Sequence, residues 1–264
     1  MAEPNLKNKT ALVTGASSGL GVDFARELAA RGCNLVLVAR REELLRQVQA
    51  ELSQKHGVTV QVIAMDLAAP DAAQALYDQL KTAGTPVDVL VNNAGFGLYG
   101  DFIAVDWERE KEMLDLDIIT LVHMTRLFAG DMVERNFGYV LQVASIGAYQ
   151  PSPTYALYSA AKTFVLYFSE ALAYELRRTK VKITTLSPGV TATEFFKVAG
   201  QQVSAYQRLT MMDSPTVARI GIEAMLRGRP SVVPGFFNAF MAFMTRFTPR
   251  QMAAAIAYQT MTRG

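Results

Sequence analysis

Seven short apolar runs, alternating with longer stretches of helical periodicity, constrain this chain more than any other feature. The runs are Thr10 to Thr14, Asn34 to Ala39, Val58 to Met65, Val87 to Val91, Tyr139 to Val143, Val181 to Leu186 and Ser231 to Val233. They are near-continuously apolar, as strands covered by helices on both faces must be. Helical patterns begin near Gly19, Arg41, Ala69, Asp106, Pro153 and Pro215, and Ser214-Pro215 reads as an N-cap followed by proline at the first helical position. This alternation marks repeated βαβ units on a parallel sheet. With 264 residues, no internal repeat and no low-complexity linker, one α/β domain over 1–264 is expected. The irregular stretch 193–213 reads as a substrate lid, and 235–264 as an apolar helical extension.

Charge and composition narrow the function. The balance of 26 Lys+Arg against 24 Asp+Glu leaves +2 with no basic run, so a small ligand is expected rather than nucleic acid. Cys33 is alone and the histidines are only His56 and His123, too few for a disulfide framework or a Cys/His metal site. Cys33 is most simply a small buried hydrophobe. The beginning of the chain lacks a charged-then-apolar signal, and no apolar run reaches about 18 residues, so a cytoplasmic location is expected. Residues 224–264 hold five arginines and no Asp, Glu or Lys, with Phe236, Phe240, Phe243 and Phe247 at helical spacing. That face is expected to pack on the domain or a neighbouring subunit, the alternative being an anionic membrane surface.

Two motifs carry chemistry. Thr14-Gly15-Ala16-Ser17-Ser18-Gly19-Leu20-Gly21 follows the first strand and opens a helix, where a glycine turn lets backbone N–H groups and the helix dipole meet a pyrophosphate. Its GxxxGxG spacing differs from GxGxxG, so it must be weighed with its partners. At the tip of the second strand, where an acid would grip an adenosine ribose, stand Ala39, Arg40 and Arg41, suited to a 2′-phosphate. A solvated helix start is the other reading of those arginines. Asp66-Leu67 ends the third strand and Asn92-Asn93-Ala94-Gly95 the fourth, both at carboxyl ends where parallel sheets bind ligands. The second motif pairs Tyr158 with Lys162, four residues apart and so on one helix face, with Ser145 thirteen residues earlier. An ammonium beside a phenol favours the phenolate and draws its pKa down from about 10, which makes an acid/base. Ser145 could hold a reacting oxygen by a hydrogen bond. YxxxK alone is common on helices; the glycine turn and the strand-end asparagines give it weight.

With these pieces in order, and with Pro188-Gly189-Val190-Thr191-Ala192-Thr193 after the sixth strand, the chain resembles the short-chain dehydrogenase/reductase family from about Lys9 to Val233. The resemblance implies a single Rossmann-type doubly wound domain, a seven-stranded parallel sheet in the order 3-2-1-4-5-6-7, and a nicotinamide cofactor across the strand ends. It implies further that Gly15, Ser17, Ser18, Gly19 and Leu20 line the pyrophosphate side, Asp66 and Leu67 the adenine, and Asn93 the adenosine ribose, with Ala94 and Gly95 also binding the cofactor. Tyr158 and Lys162 would contact the nicotinamide ribose, and Pro188, Gly189, Val190 and Thr193 the carboxamide. Members reduce a carbonyl by hydride transfer, the tyrosine protonating the oxygen and the serine orienting it. With Arg40 and Arg41, the implied cofactor is NADP(H). The resemblance also suggests a homodimer or homotetramer built on the Asp106 and Pro153 helices. A cofactor-binding sensor or scaffold without turnover is the other class, against which the intact Ser145, Tyr158 and Lys162 set argues.

One position departs from the family. Members usually carry an asparagine on the fourth helix that supports a proton-relay water, and its place here is Asp117, a carboxylate without N–H donors. The substrate is read from Phe96, Leu98, Tyr149, Phe195 and Phe196, with Tyr206, Met211 and Met212, an apolar wall that suits a hydrophobic ketone. A 3-oxoacyl chain is favoured, a bulky ketone second.

Overall fold

The computed structural model describes residues 5–192, 199–201 and 210–262. Seven strands form one parallel sheet in the order β3-β2-β1-β4-β5-β6-β7. They are β1 (Thr10–Thr14), β2 (Asn34–Ala39), β3 (Val60–Ala64), β4 (Val89–Asn92), β5 (Gly138–Val143), β6 (Val181–Leu186) and β7 (Ser231–Val232). Three coincide with the expected runs, and the others differ by one or two residues at their ends. Side chains alternate between the faces: Ala11 and Val13 belong to one apolar cluster and Leu12 to the other, and the same alternation holds for Leu35 and Leu37 against Val36 and Val38. Both sets are buried because helices cover both faces, which is why the strands read as continuously apolar.

On one face lie α1 (Gly19–Ala30), α2 (Glu42–His56) and α7 (Ser214–Leu226), with Phe24, Leu28, Leu45 and Ile222 fully buried. Burying Phe24 alone contributes up to about 3 kcal/mol. The other face carries α3 (Ala72–Thr82), α4 (Trp107–Leu114), α5 (Leu121–Glu134) and α6 (Ala156–Glu175). Cys33 is fully buried, and burial pushes its thiol up to about 12, so it behaves as a hydrophobe.

Local chemistry sets the helix starts. Asp106 caps α4 by accepting from the Arg109 N–H at 3.1 Å. At α7 the cap is Asp213, whose carboxylate accepts from the Thr216 N–H at 2.9 Å; Ser214, read from sequence as the cap, is the first helical residue and its buried hydroxyl has no partner. The starts expected near Ala69 and Pro153 fall three residues later. Asp71 and Thr154 take left-handed backbone angles there, so the chain turns before it coils. Between α4 and α5 the helix widens into a π-helical segment, Asp115–Thr120. Such segments recur at functional sites because the extra residue re-aims the side chains around it. The C-terminal extension is two helices, α8 (Phe236–Met244) and α9 (Arg250–Thr262), separated by a turn through Pro249. No helix among the described residues is long and apolar enough to cross a membrane.

Candidate active site

A cavity of about 490 Å³ opens along the carboxyl ends of the strands, where the connections diverge to opposite faces of the sheet. It is lined by Gly15, Ser17, Ser18, Gly19, Leu20, Arg40, Arg41, Asp66, Leu67, Asn93, Ala94, Gly95, Ser145, Tyr158, Lys162, Pro188, Gly189 and Val190. The strands therefore bring to one place all the described residues selected from sequence for cofactor and chemistry, apart from Asp117, which is fully buried behind Lys162. Of the proposed substrate wall, Phe96 lines the cavity and Leu98, Tyr149, Met211 and Met212 do not. Thr193, Phe195, Phe196 and Tyr206 lie outside the described residues.

Each strand end is held by its own chemistry. Gly15 has φ +66° and lies so near β4 that a Cβ would sit 2.8 Å from Asn93 Nδ2 and 3.0 Å from Ala94 Cα. Only glycine fits that turn. The Thr14 hydroxyl accepts from the Asn93 and Ala94 N–H groups, both at 2.9 Å, and the Asn93 amide donates to the Thr14 carbonyl at 2.9 Å. Asn93 is thus a brace between β1 and β4 as well as part of the cavity wall. Behind it Asn92, Gln142 and Thr125 close a buried hydrogen-bond triangle at 2.7 to 3.1 Å that fixes β4 against β5 and α5.

The opening of α1 is shaped to meet an anion. Its N-cap Ser18 makes no side-chain cap bond, and its first turn has no acid, so backbone N–H groups and the dipole face the cavity. Arg41 donates to the Ser17 hydroxyl at 3.2 Å and the Ser18 hydroxyl at 2.6 Å, closing a polar corner beside that turn. Arg40 reaches across the cleft to Glu112 at 3.0 Å and stands 3.8 Å from Asp66. The glycine cradle and the helix terminus form a donor set suited to the pyrophosphate of a dinucleotide, with the two guanidiniums beside it.

At the opposite end stands the second motif. Lys162 Nζ is 2.8 Å from Asp117 Oδ2, with both side chains almost wholly buried, and donates to the Val143 carbonyl at 3.3 Å. It lies 5.6 Å from the centre of the Tyr158 ring. The Tyr158 hydroxyl is hydrogen-bonded to Ser145, whose Oγ also accepts from the Gly147 N–H at 3.1 Å and so is fixed in direction. The π-helical segment delivers Asp117 to the lysine, and a Cβ at Gly95 would come within 2.5 Å of Asp117 Oδ1. Burial acts most strongly on all three titratable groups. It raises the Asp117 carboxyl against the pull of the ammonium. On Lys162 it acts downward, but Asp117 and Tyr158 overcome it and hold the ammonium above its ordinary value. Burial also raises the Tyr158 phenol, helped by Asp117 and opposed by Lys162 and Ser145. Lys162 and Ser145 draw the phenol down, as the Tyr-Lys pair suggests, and burial together with Asp117 outweighs them.

Several wall residues carried no signal in the sequence. Tyr155, without a lysine four residues on, lines the cavity, rests against Tyr99 and Tyr158 at ring distances of 5.4 and 5.7 Å, and donates to Gln201 Oε1 at 2.8 Å. Gln201 in turn donates to the Met261 carbonyl at 3.2 Å, which brings α9 to the wall, and Met261 lines it. Contacts of this kind between distant segments leave no local pattern to read. Among the described residues no cluster of His, Cys, Asp and Glu is arranged to hold a metal.

Comparison with known proteins agrees with this geometry. Residues 9–204 match the short chain dehydrogenase family. A very-long-chain 3-oxoacyl-CoA reductase of Homo sapiens is 33% identical over 224 residues, covering 83% of this chain and 70% of that protein. A short-chain dehydrogenase from Sphingobium yanoikuyae, solved with NADPH, superimposes with a TM-score of 0.80 at 26% identity, covering 90% of this chain and 94% of that one. A structure from work on 7β-hydroxysteroid dehydrogenase stereoselectivity has a TM-score of 0.87 over 97% of this chain and 99% of its own, and at 22% identity it speaks for the fold alone. The chain belongs to the short-chain dehydrogenase/reductase family and is an oxidoreductase.

Proposed function

We propose that this protein is an NADP(H)-dependent reductase of hydrophobic ketones, with 3-oxoacyl compounds the favoured class. The observation that carries the reading is the convergence of two groups on one cleft: the Arg41, Ser17 and Ser18 corner at the glycine turn, and the Ser145, Tyr158 and Lys162 cluster at the other end. Ser17, Ser18 and Arg41 would hold a 2′-phosphate, with Arg40 guarding the same edge, and the α1 amides the pyrophosphate. Tyr158 and Lys162 would meet the nicotinamide ribose, and Pro188, Gly189 and Val190 the carboxamide side. When bound, the cofactor supplies a hydride to the carbonyl carbon. Tyr158 gives its proton to the oxygen, Ser145 orients that oxygen, and Lys162 stabilises the phenolate left behind.

Burial, with Asp117 behind it, holds the Tyr158 phenol up, which suits the reductive direction. A phenol held above its ordinary value stays protonated through neutral pH, the form a reduction needs and an alcohol oxidation does not. The apolar wall supports the substrate class, with Phe96, Ile146, Tyr155 and Met261 around the reacting end. The similarity to 3-oxoacyl-CoA reductases points the same way. One catalytic domain is the simplest reading of the whole chain, and the stretch 193–213 fits a cover for the cleft. Within that stretch Ala199 accepts from the Tyr99 N–H at 3.1 Å and Gln201 holds Tyr155. Phe164, Tyr167 and Tyr174 stand exposed on α6, consistent with a homodimer through that face.

The test follows NADPH oxidation across 3-oxoacyl esters of increasing chain length, with NADH in parallel. A rate that climbs severalfold with length and favours NADPH is expected. A flat series rejects the apolar cleft, and equal or better kcat/KM with NADH rejects the cofactor assignment.

A further inference from the structure

We infer that the C-terminal helix pair docks this protein on anionic membrane surfaces. Along α8 and the following turn, Phe236, Phe240, Phe243 and Phe247 are 89, 49, 50 and 69% exposed, flanked by Phe237 and Met244. The face turned to the protein is small or polar: Asn238 and Ala242 on α8, Ala253 and Ala257 on α9. The helices are thus anchored by their small faces and present their aromatic one to solvent, the reverse of what burial in the protein's own core would give.

Charge selects the occupant. Arg246 and Arg250 stand exposed at the turn between the helices, Arg246 lying 5.7 Å over the Phe243 ring, and no carboxylate or lysine occurs from 224 onward. A second copy pairing through the same face about a two-fold axis would gather the arginines of both copies at one interface with no acid on either helix to neutralise them. Lipid headgroups bearing phosphate supply the missing charge, and acyl chains accept the phenylalanines. The platform also adjoins the cleft. Asn238 packs so tightly on Gly189 that a Cβ there would lie 2.5 Å from its amide nitrogen, and Met261 of α9 is part of the cavity wall. An apolar substrate dissolved in the bilayer would meet the protein at that wall.

The experiment is flotation of the full chain with phosphatidylcholine vesicles, with and without phosphatidylglycerol, a readout independent of the proposed chemistry. The protein should float with the anionic vesicles only. Arg246→Gln with Arg250→Gln should weaken partitioning by about 25-fold, about fivefold per arginine at an anionic surface. Phe236→Ser, Phe240→Ser and Phe247→Ser together should abolish flotation while leaving the melting temperature and the turnover of a water-soluble ketone unchanged. Failure to float, or equal flotation with neutral vesicles, overturns the assignment. So does a dimer in sedimentation equilibrium that the serine variant dissociates, since a second copy would then cover this face.

Discussion

Replacing Asp117 by asparagine keeps the side chain's shape, removes its charge, and restores the amide usual in the family. The carboxylate lies 2.8 Å from Lys162 Nζ, which lies 5.6 Å from the Tyr158 ring centre, so the charge is within about 8 Å of the phenol. At an effective dielectric of about 20, a unit charge at that separation is worth about 2 kcal/mol, or about 1.5 pH units. The sign is set by like charge: the carboxylate disfavours the phenolate and raises the phenol, so its removal lowers the phenol. Ketone reduction needs the phenol and fades as pH rises through its pKa; alcohol oxidation needs the phenolate and appears over the same interval. Both limbs should therefore move to lower pH by about 1.5 units in Asp117→Asn, and oxidation at neutral pH should gain about 30-fold. The assay is kcat/KM against pH in both directions at saturating cofactor. Limbs that stay in place, or move upward, refute the reasoning. The variant should also lose stability, by less than the about 3–5 kcal/mol that follows loss of a buried ion-pair partner, because the amide oxygen still accepts from the ammonium.

Tyr158→Phe should abolish turnover while leaving NADPH binding near normal, whereas Lys162→Met should lose both; a phenylalanine variant keeping most of its kcat, measured by stopped-flow absorbance, would remove the tyrosine from the chemistry. Arg41→Ala should cost about tenfold to a hundredfold in NADPH affinity, with little change for NADH, and Arg40→Asp should reverse the preference; titration by cofactor fluorescence reads both. Asp213→Ala should lower the urea midpoint, because α7 loses its cap. Ser214→Ala should not, because that buried hydroxyl has no partner to lose.

The parallel strands, to within two residues at their ends, the glycine turn and the Tyr-Lys pair were readable from the chain because each rests on a local rule, while the strand order came with the family resemblance. Strands buried on both faces must be continuously apolar. A turn against a neighbouring strand end must be glycine. Two side chains that share a helix face must be three or four residues apart. From those rules Gly15, Tyr158 and Lys162 could be numbered in advance, Asn93 and Ser145 came with the family resemblance, and the structure gathers all five at one cleft. What the sequence could not contain was anything that depends on distance between segments far apart in the chain. The α7 cap moved by one residue because Asp213, not Ser214, reaches the Thr216 N–H. Tyr155 joined the wall only because Gln201 and α9 pack against it. Asp117 was visible as a departure, but its partner and the direction of its influence were not. The tertiary fold decides them, since the π-helical segment between α4 and α5 carries the carboxylate to the lysine within the core and glycine at 95 leaves it room. Burial then raises the tyrosine directly and strengthens the opposed influences of Lys162 and Asp117 on it, because charges taken out of water are no longer screened by it.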